Sequence, residues 1–300
     1  MTLLPPVRAI TATPEQQALR TTISKDGYVV LRQAIDPALI ADLHEDLRER
    51  FERTPFCQGD FYGGRTKRFG AVLKRSPHAA ALVMHRDILA IAELILGPFC
   101  DRVQLNLTQA LEIHPGETVQ APHRDQDMYW GLKGGTEYLI NVMWPFTPYT
   151  AKNGATLVYP GSNRLLHLGL GDFGEPTPVE MEPGDVLVFL GSTLHGAGAN
   201  TSSAPRTGLI VGYSLGWLKP YENQWLAYPP EVARHFPKPL AELVGYACHR
   251  PNLGNYEGQC PSVALDPMAG DYLPATDVMT DEQRLRLRMF KDRQQADHAA

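Results

Sequence analysis

The sequence predicts a mainly β protein with flanking helices, its strands forming a barrel or a sandwich. Short strand-like runs recur at regular spacing after residue 100: Val103–Ile113, Tyr138–Phe146, Ala155–Tyr159, Val179–Met181, Val186–Leu190 and Leu209–Leu215. Turn residues punctuate them, as Pro115-Gly116, Asn153-Gly154, Pro160-Gly161 and Pro183-Gly184-Asp185. The helical signals lie mostly before this series and at the C-terminal end.

Thr13-Pro14-Glu15-Gln16 combines a capping residue, a proline at the first helical position and a glutamine at the third, so a helix runs to about Gly27, which ends it. Tyr28 to Leu31 reads as a strand. Asp36-Pro37 then caps a second helix with Leu39, Ile40, Leu43 and Leu47 on one face. A third apolar-periodic segment, Ala79 to Leu96, stops at Gly97-Pro98. Between these helices lies a basic cluster, Arg65, Lys67, Arg68, Lys74 and Arg75, in which Arg68-Phe69-Gly70 is read as a turn before a helix. Pro251 to Pro274 reads as an irregular surface excursion, and a capped terminal helix with a solvated basic face begins at Thr280.

A chain of 300 residues with 43% hydrophobic and 20% charged residues can bury a sizeable core. One domain over 1–300 is expected: a mixed part at about 1–100, a β core at about 101–220 and an extension at about 221–300. The net charge of −5 excludes a general attraction to nucleic acid or anionic membrane and leaves a small molecule as the expected partner; the oligomeric state is not legible. The four cysteines, Cys57, Cys100, Cys248 and Cys260, form no CxxC pair, and a reducing cytoplasm is expected. No apolar run has a membrane-spanning length, and Met1 to Pro14 lacks the pattern of a signal peptide.

The chemistry concentrates at His123-Arg124-Asp125. On an extended strand, positions i and i+2 point to the same side and could share one ion. His195 follows the run Val186–Leu190, and Arg206 lies 11 residues beyond it. Two imidazoles and one carboxylate on one face of a metal leave positions open, which suits a non-haem iron(II) oxygenase. Zinc with water in the open position is the chemical alternative. His78, His85, His114 and His167 have no second ligand at a suitable spacing and are read as surface or core residues.

These motifs resemble the phytanoyl-CoA dioxygenase family of iron(II)/2-oxoglutarate oxygenases. The likeness rests on the HxD, the distal His195, Arg206 at the family spacing, Gln104-Leu105-Asn106-Leu107-Thr108-Gln109, Asn153-Gly154-Ala155-Thr156, Pro160-Gly161-Ser162 and Ser214-Leu215-Gly216-Trp217-Leu218. It spans about residues 20 to 250. It implies a double-stranded β-helix, a jelly-roll or cupin-like core, with Fe(II) on His123, Asp125 and His195. It further implies 2-oxoglutarate as co-substrate with its far carboxylate on Arg206, O2 as oxidant, and oxidation of a C–H bond with release of succinate and CO2, hydroxylation being the commonest outcome and desaturation, epoxidation and rearrangement the others.

Gln120, Ser192 and Thr193 are candidates for further hydrogen bonds to the co-substrate. Arg68, Tyr129 and Trp130 are candidates for contact with the substrate, Arg68 through an anionic group of the substrate or the co-substrate. Asn163 departs from the histidine of many relatives, and Asp125 stands where related halogenases have a small residue, which argues against halogenation. The rival readings are a cupin-like metal-dependent isomerase or hydrolase without 2-oxoglutarate, and a catalytically silent binding protein of the same fold.

Overall fold

The computed structural model describes residues 9–130, 134–165, 174–270 and 272–299. Residue contacts group the chain into two compact units, Met1–Pro229 and Pro230–Ala300. The greater part of the expected C-terminal extension falls in the second.

The first unit opens with helix α1 (Pro14–Asp26). Thr13 Oγ1 accepts from the Gln16 amide while Gln16 Oε1 accepts from the Thr13 amide, and Gly27 closes the helix at φ 86°. Strand β1 (Tyr28–Leu31) leads to α2 (Pro37–Arg53), where the Asp36 carboxylate accepts from the Ala38 amide. Ile40, Leu43, Leu47 and Phe51 form the buried face of α2, and Leu39 is only half-buried.

Strand β2 (Thr66–Phe69) replaces the turn expected at Arg68-Phe69-Gly70, because this segment pairs with the long strand that follows. The continuous helix expected over 79–96 is two, α3 (Ala79–Val83) and α4 (Arg86–Leu96). His85 breaks them apart in a non-helical conformation, its Nε2 2.9 Å from the Ala34 carbonyl oxygen.

The β core contains β3 (Val103–Ile113), β4 (Leu139–Pro145), β5 (Thr156–Val158), β6 (Thr177–Pro178), β7 (Val186–Leu190), β8 (His195–Ala197) and β9 (Arg206–Leu215). A six-stranded sheet has the order β1-β7-β4-β9-β3-β2 and a three-stranded sheet the order β6-β5-β8, with every strand pair antiparallel. This is the jelly-roll core with flanking helices that the family likeness implied. The strand expected at Val179–Met181 lies earlier, at Thr177–Pro178, and Met181 makes only an isolated bridge to Tyr149. Pro178 cannot donate to a ladder and suits this edge position.

Period-two alternation sorts the large sheet into two faces. Leu111, Ile113, Met143, Leu187 and Phe189 pack with Val158 from the small sheet and with Tyr149, Ala155, Val179 and Met181. On the other face helix α4 packs against β3, β4 and β9, and the buried Tyr213 donates its hydroxyl proton to the Val83 carbonyl at 2.7 Å. The register of β3 against β9 slips between Leu105 and Leu107, leaving Asn106 as a bulge residue. A short helix, α5 (Gln224–Ala227), completes the unit.

The second unit carries α6 (Pro230–Ala233), α7 (Lys238–Leu243), a 3-10 turn at Pro261–Leu265 within the excursion read as irregular, and α8 (Asp281–Ala299). Thr280 and Gln283 cap α8 reciprocally, and Arg286 on its exposed face pairs with Glu282 one turn earlier. Among the described residues no helix is long and apolar enough to cross a membrane.

A candidate metal centre in the jelly roll

His123 and His195 form an isolated antiparallel bridge in which each backbone N–H donates to the other's carbonyl, at 2.9 and 3.0 Å. The HxD therefore does not lie on a continuous strand, as the sequence suggested. His123 occupies the bridge, and Asp125 opens a 3-10 turn (Asp125–Met128) fastened by the Gln126 amide to the Gly191 carbonyl. The turn, rather than i to i+2 alternation, swings the carboxylate toward both imidazoles. His123 Nε2 lies 3.4 Å from Asp125 Oδ1, and His195 Nε2 lies 3.5 Å from Asp125 Oδ2.

One ligand atom from each of the three lies within 4.8 Å of the others, close enough to hold one metal ion. The partners of the two imidazoles fit a metal as well. His123 Nδ1 is 3.0 Å from the Ala121 carbonyl and His195 Nδ1 is 3.0 Å from the Thr193 carbonyl. A carbonyl only accepts, so both Nδ1 atoms carry the proton and both Nε2 lone pairs face the gap. Burial lowers the His195 imidazole from its ordinary value, favouring the neutral form that ligates metals. Burial alone would raise the Asp125 carboxyl, but the two histidines and Arg68 outweigh it and hold it below its ordinary value.

The triad opens onto a cavity of about 300 Å³ between the two sheets. Arg206 reaches it from the first position of β9 and is 1% exposed. Its guanidinium lies 4.3 Å from the centroid of the Tyr149 ring, and its Nε and one terminal nitrogen are buried without a hydrogen-bond partner. Gly208 makes this stacking possible, since a Cβ there would fall 2.7 Å from the Trp144 carbonyl oxygen and into the Tyr149 hydroxyl.

Arg68 lines the same cavity. It donates to Gln109 Oε1 at 3.0 Å and lies 5.0 Å from the centroid of the Tyr62 ring. Burial lowers its pKa, and the nearby Arg206 charge acts in the same direction. Two others of the basic cluster are engaged elsewhere: Lys67, on the opposite face of β2, donates to the Phe51 carbonyl, and Arg75 to that of Gly70.

The other sequence candidates separate sharply. Gln120 lines the cavity, yet its Nε2 donates to the Phe61 carbonyl and its Oε1 accepts from the Ala197 amide. Ser192 and Thr193 are not among the lining residues: Ser192 Oγ donates to Glu137 Oε1 at 2.5 Å and Thr193 Oγ1 to the Gly27 carbonyl at 2.7 Å. Both belong to the connection between β7 and β8. Tyr129 sits beside the cavity wall, donating its hydroxyl to Asn106 Oδ1 and to the Lys219 carbonyl, and burial pushes its phenol up to about 12. Trp130 is fully exposed and lines nothing.

His78, His85 and His114 contact Asp46, the Ala34 carbonyl and Glu112 respectively, while His167 lies outside the described residues. Asn163 donates to the Ser24 carbonyl, away from the triad.

Residues that sequence reasoning did not select complete the wall. Asn106, Asn141, Tyr62 and Tyr221 supply polar atoms, while Phe61, Leu107, Met128 and Leu139 supply apolar surface. The Tyr62 and Tyr221 hydroxyls bond to each other. The Gln104–Gln109 segment already singled out in the sequence contains Asn106, but its bulge depends on pairing with β9.

A jelly roll with two histidines and an aspartate at one end of an arginine-bearing cavity has the architecture of the iron(II)/2-oxoglutarate oxygenases. The phytanoyl-CoA dioxygenase (PhyH) family matches residues 23–208, and the chain belongs to it: it is an iron(II)/2-oxoglutarate-dependent dioxygenase. The multifunctional dioxygenase prhA of Penicillium brasilianum is 28% identical over 270 residues, covering 81% of this chain and 87% of that protein. Dioxygenase FrzG of a Cladobotryum species is 30% identical over 254 residues, covering 75% and 81%.

Among solved structures, the epimerase SnoN in complex with Fe3+, alpha ketoglutarate and nogalamycin RO superposes with a TM-score of 0.57 at 21% identity, covering 67% of this chain and 84% of that one. HygX of Streptomyces hygroscopicus, with nickel and 2-oxoglutarate bound, gives 0.53 at 16% identity, covering 68% and 88%. These two share the fold. The isomerase, hydrolase and silent-binder readings gain no support.

Two predictions follow from the supporting contacts. Gly208→Ala is expected to displace Tyr149 and cost ~1–3 kcal/mol of stability, with weaker 2-oxoglutarate binding, read by denaturant unfolding and ligand titration. Burial pushes the Glu137 carboxyl up from 4.5 to about 7, although its bonds from Ser192 act the other way. A raised carboxyl pKa means that stability present below about pH 4.5 is lost as pH climbs through about 7. Glu137→Gln, which keeps an acceptor for Ser192, is expected to raise the melting temperature relative to wild type at pH 8, with the gain shrinking toward pH 5.

Proposed function

We propose that His123, Asp125 and His195 bind the iron(II), that Arg206 anchors the distal carboxylate of 2-oxoglutarate, and that the prime substrate is a small, largely apolar molecule without net charge. The observation that carries this reading is the buried Arg206 guanidinium, with two nitrogens unpartnered, facing the same cavity as the donor triad. A buried cation left this way is costly, and a carboxylate matches its planar donors. Bound iron would supply the oxidation of a C–H bond by O2, with 2-oxoglutarate converted to succinate and CO2.

The chain's own groups do the positioning. Tyr149 holds the Arg206 guanidinium against its ring, while Gln109 and Tyr62 hold that of Arg68. Thr156, beside the metal triad on the small sheet, offers a hydroxyl to the same space. Two guanidinium groups beside one carboxylate suit a dianionic co-substrate, so Arg68 is assigned to anionic charge within the cavity. The remaining wall, including Phe61, Leu107, Met128 and Leu139, then favours an uncharged substrate and keeps water from the reacting bond. Four cysteines held in no disulfide and a ferrous cofactor suit a reducing cytoplasm.

The test is turnover of neutral ring compounds by purified protein with Fe(II), ascorbate and 2-oxoglutarate. Succinate is measured against product, and a mass gain of one oxygen identifies hydroxylation. Arg206→Ala is expected to weaken 2-oxoglutarate binding by roughly 30-fold or more, equivalent to ~2 kcal/mol. Unchanged affinity would remove the anchor assignment, and turnover confined to anionic substrates would remove the substrate class.

A further inference from the structure

We infer that Asn141 is a positioning residue for the metal-binding carboxylate: its amide Nδ2 engages Asp125 Oδ2, so that Oδ1 is left to bind the metal. This rests on the reading of Asp125 as an iron ligand.

Asn141 is fully buried in the middle of β4. Its neighbours on the cavity-facing side of the strand are Leu139 and Met143, and an apolar side chain is what such a position ordinarily holds. An amide there is destabilising unless its polar atoms find partners. Asn141 Nδ2 donates to Asp125 Oδ2. Because an ionised carboxylate only accepts, this contact fixes which end of the amide faces Asp125. Among the described residues Asn141 is the one side chain that hydrogen-bonds this carboxylate, the unprotonated Nε2 atoms of the two histidines lying 3.4 and 3.5 Å from its oxygens.

The neighbouring strand leaves room for this geometry. Asn141 pairs with Gly212 of β9, and a Cβ at Gly212 would fall 3.0 Å from Asn141 Oδ1 and 2.5 Å from Leu107 Cδ2. A methyl group there would press first on the Leu107 side chain and would crowd the amide oxygen as well. The glycine is therefore required by space, and the amide it accommodates is aimed at Asp125.

The chemical consequence concerns how many positions the protein occupies on the metal. A free carboxylate can bind through one oxygen or two. With Oδ2 engaged by an N–H, Asp125 contributes one donor, and the triad contributes three. The positions left for ligands from solution then depend on Asn141, a residue that does not itself bind the metal. Partners that orient a ligand in this way commonly account for ten- to hundredfold in metal affinity.

The experiment uses the full-length protein stripped of metal and titrated with Co(II), whose visible absorption reports coordination number. Asn141→Leu, close in volume, is expected to melt within a few degrees of wild type without metal, yet to bind Co(II) about 10- to 100-fold more weakly, with altered intensity of the visible bands. Gly212→Ala retains the amide but displaces it, and should shift affinity in the same direction by less.

Wild-type affinity and spectrum in Asn141→Leu would overturn the inference. Should that variant fail to fold, unchanged Co(II) binding in Gly212→Ala would do the same. His123→Ala separates this inference from its premise: if that variant binds Co(II) as wild type does, the ligand assignment itself fails.

Discussion

Everything at the metal end depends on one pair of backbone hydrogen bonds, those exchanged between His123 and His195. An antiparallel bridge of this kind fixes two residues opposite each other, with their side chains on the same side. Their rings come to 4.4 Å between centroids without any side-chain bond between them. The backbone therefore does the gathering, and the side chains are free to present Nε2 to a common point. The carbonyls of Ala121 and Thr193, each two residues before its histidine, perform the same service on the two sides of the bridge. The centre is thus nearly symmetric in its support, and Asp125 and its turn break the symmetry.

The large sheet solves a different problem, that of placing charge in a dry space. Along β9 the cavity-facing positions run Arg206, Gly208, Ile210, Gly212, while the alternate positions Thr207, Leu209, Val211 and Tyr213 are buried on the other face. The two glycines are not flexible hinges. Each stands where a neighbouring strand or loop sends a large or polar side chain across it, Tyr149 in one case and Asn141 in the other. The arginine and the metal carboxylate are supported in this way by residues that leave space rather than by residues that fill it.

Local chemistry was legible in the sequence, whereas cross-strand register was not. The capping of α1 and α2, most strand positions and the HxD, His195 and Arg206 set could be read because each is a pattern of adjacent or regularly spaced residues. Asn141 and Tyr149 escaped notice because an asparagine in an apolar strand and a tyrosine in a loop acquire meaning only when Gly212 and Arg206 are known to lie opposite. Arg68 was grouped with Lys67 by charge, but once β2 is a strand the two point to opposite faces. Ser192 and Thr193 were drawn in by their closeness to His195, and the turn joining β7 to β8 uses both for its own bonds.

The bulge at Asn106 carries a further implication. One unpaired residue divides β3 into two stretches, Leu107–Ile113 opposite Arg206–Gly212 and Val103–Leu105 opposite Tyr213–Leu215. Asn106 itself accepts from the Tyr221 amide and the Tyr129 hydroxyl, tying the mouth-forming segments to that single point. The strand is thereby jointed: the end opposite Arg206 stays in register with β2 and β9, while the segments carrying Tyr129 and Tyr221 meet at Asn106. A side-chain exchange in those segments would thus reshape one end of the cavity while leaving in place the ladder that presents Arg68 and Arg206.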